Sequence, residues 1–201
     1  MASTYPVPSK SCEVCYEIKK SRFIARAVFV DARELAMKEL AQAKKDYPDA
    51  RHHCWAYQFG NPKSAASAAM SDDGEPSGTA GKPILNVLQH KNVGDVMIIV
   101  TRYFGGIKLG AGGLVRAYSA SAQMAMDELE TEQQVARESF ELMCDFSQEQ
   151  PIRHWLSLHD GVIDDTSYSQ QVTMTVALAE EAGAALGEYL ASLGASLKSK
   201  S

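Results

Sequence analysis

VMIIVTRYFGGIKLGAGGLVRAYS, residues 96–119, decides how the first two thirds of this chain must be organised. Residues 96–101 form a near-continuous apolar run, as expected of a strand covered on both faces. Gly105, Gly106, Gly110, Gly112 and Gly113 follow, and glycines let a backbone turn tightly and approach a ligand closely. Leu114, Ala117, Tyr118, Ala122 and Ala125 then fall near helical spacing. A strand that runs through a glycine loop into a helix presents backbone N–H groups to an anion.

Arg102, Lys108 and Arg116 flank that loop. A phosphate would be anchored by the N–H groups near residues 112–115, where the helix dipole favours negative charge. The loop is not a P-loop, because no Lys-Ser/Thr pair follows the last glycine, and it is not a clean dinucleotide fingerprint. The competing reading is that the glycines serve only turns and close packing.

A second glycine loop, SDDGEPSGTAGKP at 71–83, lies just upstream. Pro83 suits the first turn of a helix, and Ile84, Leu85, Val87 and Leu88 give that helix an apolar side. Both loops precede a helix, so they are expected to lie side by side, with Lys82 joining the anion site and Thr79 supporting it. Asp72, Asp73 and Glu75 are expected within salt-bridge reach of Arg102 or Arg116, because uncompensated positive charge in a partly buried pocket is costly. The same acids could instead hold a divalent metal or act as a general acid–base pair. Asp-Gly is also an ordinary turn dipeptide, and the calcium-loop template fails for want of spaced oxygens.

Working outward, residues 1–11 contain Pro6 and Pro8 and read as a loose arm. Residues 13–20 and 22–30 alternate as strands joined tightly near Ser21. Asp31 and Glu34 resemble a capping box opening a helix that ends near Tyr47, since Pro48 cannot continue it. Residues 52–59 read as an aromatic-rich strand whose Trp55, Tyr57 and Phe59 belong to the core, and 60–69 as a flexible loop. Residues 130–137 read as a linker. Beyond it, 140–146, 150–158, 162–168, 172–179, 180–193 and 196–201 give a β-α-β-β-α-β order, the split ferredoxin-like arrangement. The last of these strands is short and polar, so closure of its sheet edge is open. The fold class is α+β, with domains over 1–135 and 136–201.

Composition constrains function. The 201 residues carry a net charge of −5, so the molecule as a whole is no electrostatic nucleic-acid binder. Residues 1–135 hold 16 Lys/Arg against 15 Asp/Glu, and 136–201 hold 4 against 10, so an anion site belongs in the first part. Four cysteines are too few for a disulfide framework, no signal-like or membrane-spanning apolar run occurs, and a cytoplasmic protein is expected. Cys12-x-x-Cys15 is half of a zinc pattern, but residues three apart on a strand point to opposite faces. Cys54 beside His53 suggests a nucleophile and base, yet strand neighbours point apart, and a buried cysteine is the simpler reading, with His53 in a supporting role. No catalytic residue, metal or cofactor is expected.

SRFIA at 21–25, ARHHCWAY at 50–57, SDDGEPSGTAGKP at 71–83 and VTRYFGGIKLGAGGLVRAYS at 100–119 together resemble the YigZ/IMPACT family, in its bacterial YigZ branch. The resemblance implies a first domain of the ribosomal-protein-domain-two type, seen also in translational GTPases and small-molecule kinases. It implies a ferredoxin-like second domain similar to domains of the translocation elongation factor. The eukaryotic branch restrains a stress-activated translation-initiation kinase by competing for its activator, but through a chain with a different extra domain. The expectation is therefore a non-catalytic regulator of translation in the stress response. It would bind RNA, the ribosome or a translation-linked protein through the 71–116 loops, without a membrane. The alternative is a nucleotide- or phosphometabolite-binding protein or enzyme using the same loop.

Overall fold

A computed structural model describes residues 4–135, 137–179 and 181–198. The chain divides into two units, one of Tyr5–Gln134, the other of Val135–Ser201 together with Met1–Thr4. Among the described residues, no helix is long and apolar enough to cross a membrane.

The larger unit is built on a five-stranded sheet of β2 (Cys12–Ile18), β3 (Ser21–Phe29), β4 (His52–Phe59), β5 (Ser67–Ser71) and β6 (Val96–Tyr103). Their spatial order is β2-β3-β6-β4-β5, with every neighbouring pair antiparallel. β6 is central, and its apolar run serves two layers. Val96, Ile98 and Val100 face a core shared with α2 (Gly81–Lys91) and α3 (Ala111–Glu128), whereas Met97 and Ile99 face α1 (Arg33–Asp46). The period of two along a strand produces this division. The Trp55, Tyr57 and Phe59 rings stack successively on the α1 side, with centroids 5.5 and 4.1 Å apart.

The structure corrects four local expectations. The arm is in part a strand: β1 (Thr4–Pro8) pairs with β7 (Thr131–Val135), which occupies most of the expected linker. Tyr5 and Val7 are buried there, so the period-two pattern prevails over two prolines, which a strand outside a main sheet tolerates. The Tyr5 hydroxyl donates to Asp95 Oδ2 at 2.6 Å, and Asp95 Oδ1 accepts from the Gly60 N–H at 2.7 Å. The 60–69 loop closes into β5, which lies at the sheet edge and is largely solvent-facing. At the start of α1 the N-cap is Ala32, without a side-chain cap bond, in place of Asp31.

In the smaller unit, β8 (Arg137–Cys144), α4 (Glu149–Leu158), β9 (Val162–Tyr168), β10 (Val172–Ala179), α5 (Ala182–Leu193) and β11 (Ser196–Lys198) follow in chain order. The sheet order β11-β8-β10-β9, antiparallel throughout, is that of a ferredoxin-like domain. β10 alternates strictly, with Val172, Met174, Val176 and Leu178 in the core. β11 closes the edge with Leu197 opposite Leu142. The remainder of the expected last strand, 199–201, lies outside the described residues.

Candidate anion-binding site

The site forms at the end of the sheet where β6 stops. Arg102 is the penultimate residue of β6, and register sets Phe23 of β3 on one side of it and His52 of β4 on the other. Its guanidinium carbon lies 5.4 Å from the Phe23 ring centroid and 5.8 Å from that of Phe104. Arg102 is only 8% exposed, and its buried Nε has no hydrogen-bond partner among the described residues.

Glu75 compensates this buried cation. Arg102 Nη1 donates to Glu75 Oε1 at 2.6 Å, and the Tyr118 hydroxyl of α3 donates to the same oxygen at 2.8 Å. Both charged side chains are at least nine-tenths buried. Burial first, then the neighbouring Cys54 and Glu75, push the Tyr118 phenol well above its usual range, so it stays protonated and can donate.

The other two acids go elsewhere, which corrects the expectation that all three meet an arginine. Asp72 accepts from the N–H groups of Gly78 (2.7 Å), Ala80 (3.0 Å) and Gly81 (2.8 Å). Partial burial pushes the Asp72 carboxyl up, but these donors outweigh it and hold its pKa below the ordinary aspartate value. Asp73 accepts from the His53 N–H at 2.7 Å and lies 3.9 Å from Lys44. Open N–H groups at a helix start attract whichever carboxylate the chain can curl onto them. The consequence is functional: the start of α2 already holds an internal anion. Thr79 closes the same loop by donating to the Pro76 carbonyl at 2.6 Å, and Lys82 is exposed on the first turn of α2.

The start of α3 is different. Its N-cap is Gly110, at φ 73°, and among the described residues no side chain accepts from its first N–H groups. Before it lies a hollow of about 300 Å³ lined by Glu75, Pro76, Arg102, Phe104, Lys108, Leu109, Gly110, Ala111 and Leu114. Both glycine loops therefore contribute to one wall. Lys108 is exposed, and Arg116 folds back along the first turn, its Nη1 3.6 Å from where a Cβ on Gly112 would stand. Gly105 fits under the β2–β3 hairpin, where a Cβ would lie 2.0 Å from the Lys20 carbonyl carbon. Gly106, at φ 84°, has open space around it, and Gly113 packs by Leu109.

Several basic residues at this end were not singled out by sequence reasoning. Lys19 and Lys20 form the two-residue hairpin turn, both at positive φ, as a type I′ turn requires. Arg22 lies over the Tyr103 ring at 4.9 Å, and Arg51 lines a second hollow with His52, Arg102 and Phe104. Two consecutive lysines between alternating strands were the only available signal. Their nearness to the glycine loop is purely tertiary.

The remaining candidates are structural. His53 is buried with Nδ1 3.0 Å from Thr101 Oγ1, and burial pushes its pKa down. Burial pushes the Cys54 thiol up to about 12, and Sγ donates to the Asp72 carbonyl at 3.0 Å. A thiol so placed is no nucleophile at neutral pH. Cys12 packs toward the α3 core and Cys15 is exposed.

Comparison with known proteins now decides the family. The Impact N-terminal domain model matches residues 19–126, more than half of the chain, and a domain of unknown function (DUF1949) matches 142–195. The chain belongs to the IMPACT family. An IMPACT family member of Haemophilus influenzae is 39% identical over 177 residues, covering 88% of this chain and 86% of that protein. The IMPACT family member YigZ of Escherichia coli is 40% identical over 172 residues, covering 86% and 84%. The mouse protein IMPACT is 34% identical over 88 residues, 43% of this chain and 27% of that one. A crystal structure described as that of a hypothetical protein superposes with a TM-score of 0.81 at 36% identity, covering 100% of this chain and 98% of that one. The IMPACT match spans both glycine loops and everything that lines the α3 hollow.

Proposed function

We propose that this IMPACT-family chain is a non-catalytic regulator of translation that binds RNA phosphate at the first turn of α3, beside Arg102 and Lys108. The observation that carries the reading is the contrast between the two helix starts. α2 is closed by Asp72, whereas α3 is uncapped and faces a hollow walled by a deeply buried arginine. The uncapped helix start, its dipole and Lys108 together favour a phosphate, while the charge of Arg102 is already met by Glu75 in the same wall. Lys19, Lys20, Arg22 and Arg51 at the same end extend the positive surface beyond a single phosphate. The link to translation rests on membership of the IMPACT family, whose eukaryotic branch controls initiation.

Three of the groups that could carry chemistry are already engaged. Glu75 is neutralised by Arg102, Asp72 by three N–H donors, and Cys54 is a protonated, buried thiol. A small phosphorylated metabolite is the second reading, favoured by the modest volume of the hollow and its apolar wall at Leu109 and Leu114.

Sedimentation of a lysate through a gradient at low salt tests the first reading. Wild-type protein is expected with ribosomes or RNA, and Lys108→Glu/Arg116→Glu is expected to remain at the top. Wild-type protein that never co-sediments with either would overturn it. A rise in melting temperature with a nucleotide or sugar phosphate, but not with RNA, would favour the second.

A further inference from the structure

The α3 hollow has a neighbour that shares two of its residues. Arg102 and Phe104 also line a hollow of about 440 Å³, completed by Asp49, Arg51, His52 and Tyr103. The two hollows thus meet at Phe104, a residue 58% exposed at the root of the glycine loop. Tyr103, one residue earlier, is already occupied: Arg22 covers its ring, and Tyr47 meets it edge-on at 6.5 Å. Phe104 has Arg102 near it at 5.8 Å and is the more exposed of the two rings. Each hollow also holds a cation, Lys108 in the first and Arg51, beside Asp49, in the second.

Cation, exposed aromatic ring, cation is the order in which a single strand presents phosphate, base, phosphate. Bases stack on aromatic faces whatever their identity, and arginine beside the ring adds to the attraction. A duplex offers the phosphates but keeps its bases stacked inside, so it cannot use the ring.

We infer that the two hollows hold adjacent nucleotides of a single-stranded nucleic acid. One base stacks on Phe104, one phosphate sits at the first turn of α3 beside Lys108, and the next lies toward Arg51. This rests on the phosphate-binding reading above and adds to it the strand state and the stacking residue. Arg102 is held beside Phe104 by its ion pair with Glu75 and its contact with the Phe23 ring.

Fluorescence anisotropy of the full chain at low salt tests the inference. The probes are a labelled 12-nucleotide uridine RNA, a thymidine DNA of the same length and a blunt 12-base-pair RNA duplex. The RNA strand is expected to bind at least tenfold more tightly than the duplex, and the DNA arm reads whether the 2′-hydroxyl contributes. Phe104→Ala, with its fold verified by circular dichroism, is expected to weaken single-strand binding about tenfold, in keeping with the loss of one base–aromatic stack. Phe104→Trp is expected to keep the affinity and to lose indole fluorescence on adding RNA, beyond any change in the wild type. Unchanged binding by Phe104→Ala, or equal affinity for the duplex, overturns the stacking inference. If Lys108→Glu still weakens binding in that case, the phosphate reading stands alone. If Lys108→Glu has no effect and inorganic tripolyphosphate does not compete, both fall.

Discussion

Glu75 and Arg102 make a buried ion pair that few single residues could replace. Removing one partner from such a pair leaves an uncompensated charge and costs about 3–5 kcal/mol, whereas removing both with apolar replacements is often nearly neutral. Glu75→Ala is therefore expected to lower the urea midpoint strongly, and Glu75→Ala/Arg102→Met to recover much of the loss. Additive losses in that double-mutant cycle would show that the two side chains are not coupled. Asp72 carries a second, pH-dependent contribution. Its folded-state pKa lies below the ordinary aspartate value, so its stabilisation is complete above that value and disappears as pH falls through the lowered one. Asp72→Asn is expected to cost about 0.5–2 kcal/mol at pH 7, the range for a lost helix cap. The gap from wild type should narrow steadily below about pH 4. A gap that stays constant down to pH 2 would contradict the charge-assisted capping. That Asp72 caps a helix starting nine residues later was not legible in the sequence, because it depends on how the loop curls. The ion pair was legible only in kind: acids near arginines were expected to pair, but Asp72 and Asp73 are held by backbone N–H groups, and only Glu75 meets Arg102.

At the scale of elements, contiguous periodicity was readable and long-range placement was not. β6, the glycine loop and α3 follow one another in the chain, and each announces itself by its own pattern. β7 reads TEQQV, a polar string with no buried face, so nothing local marks it as a strand. β5 is hidden in a run of serine and alanine at an edge. The loop between β6 and α3 also illustrates a glycine requirement that is steric. A Cβ on Gly105 would meet the backbone of the β2–β3 turn at 2.0 Å, and the backbone there cannot yield as a flexible side chain would. Gly105→Ala is expected to destabilise the fold by roughly 1–3 kcal/mol or more, as overpacking does. Gly106→Ala, with open space around it but φ 84°, should cost about 1 kcal/mol from backbone strain alone. Thermal or urea unfolding of the two variants checks the ranking, and equal losses would contradict it.

At the scale of the molecule, charge divides the chain more sharply than its net value of −5 suggests. Lys19, Lys20, Arg22, Arg51, Arg102 and Lys108 of the larger unit lie around the end of the sheet where β6 stops, while 136–201 carry 10 acids against 4 bases. Binding at that end should therefore be local, electrostatic and steeply dependent on salt. The most direct test is the affinity of the full chain for a uridine 12-mer measured across a range of salt concentrations. For a single strand the slope of log K against log salt is about −0.7 per phosphate engaged. The account predicts a wild-type slope of about −1.4 or steeper, reflecting two or more contacts, and a slope shallower by about one contact in Lys108→Glu. A flat wild-type dependence, or an identical slope in the variant, would contradict the claim that the start of α3 holds a phosphate.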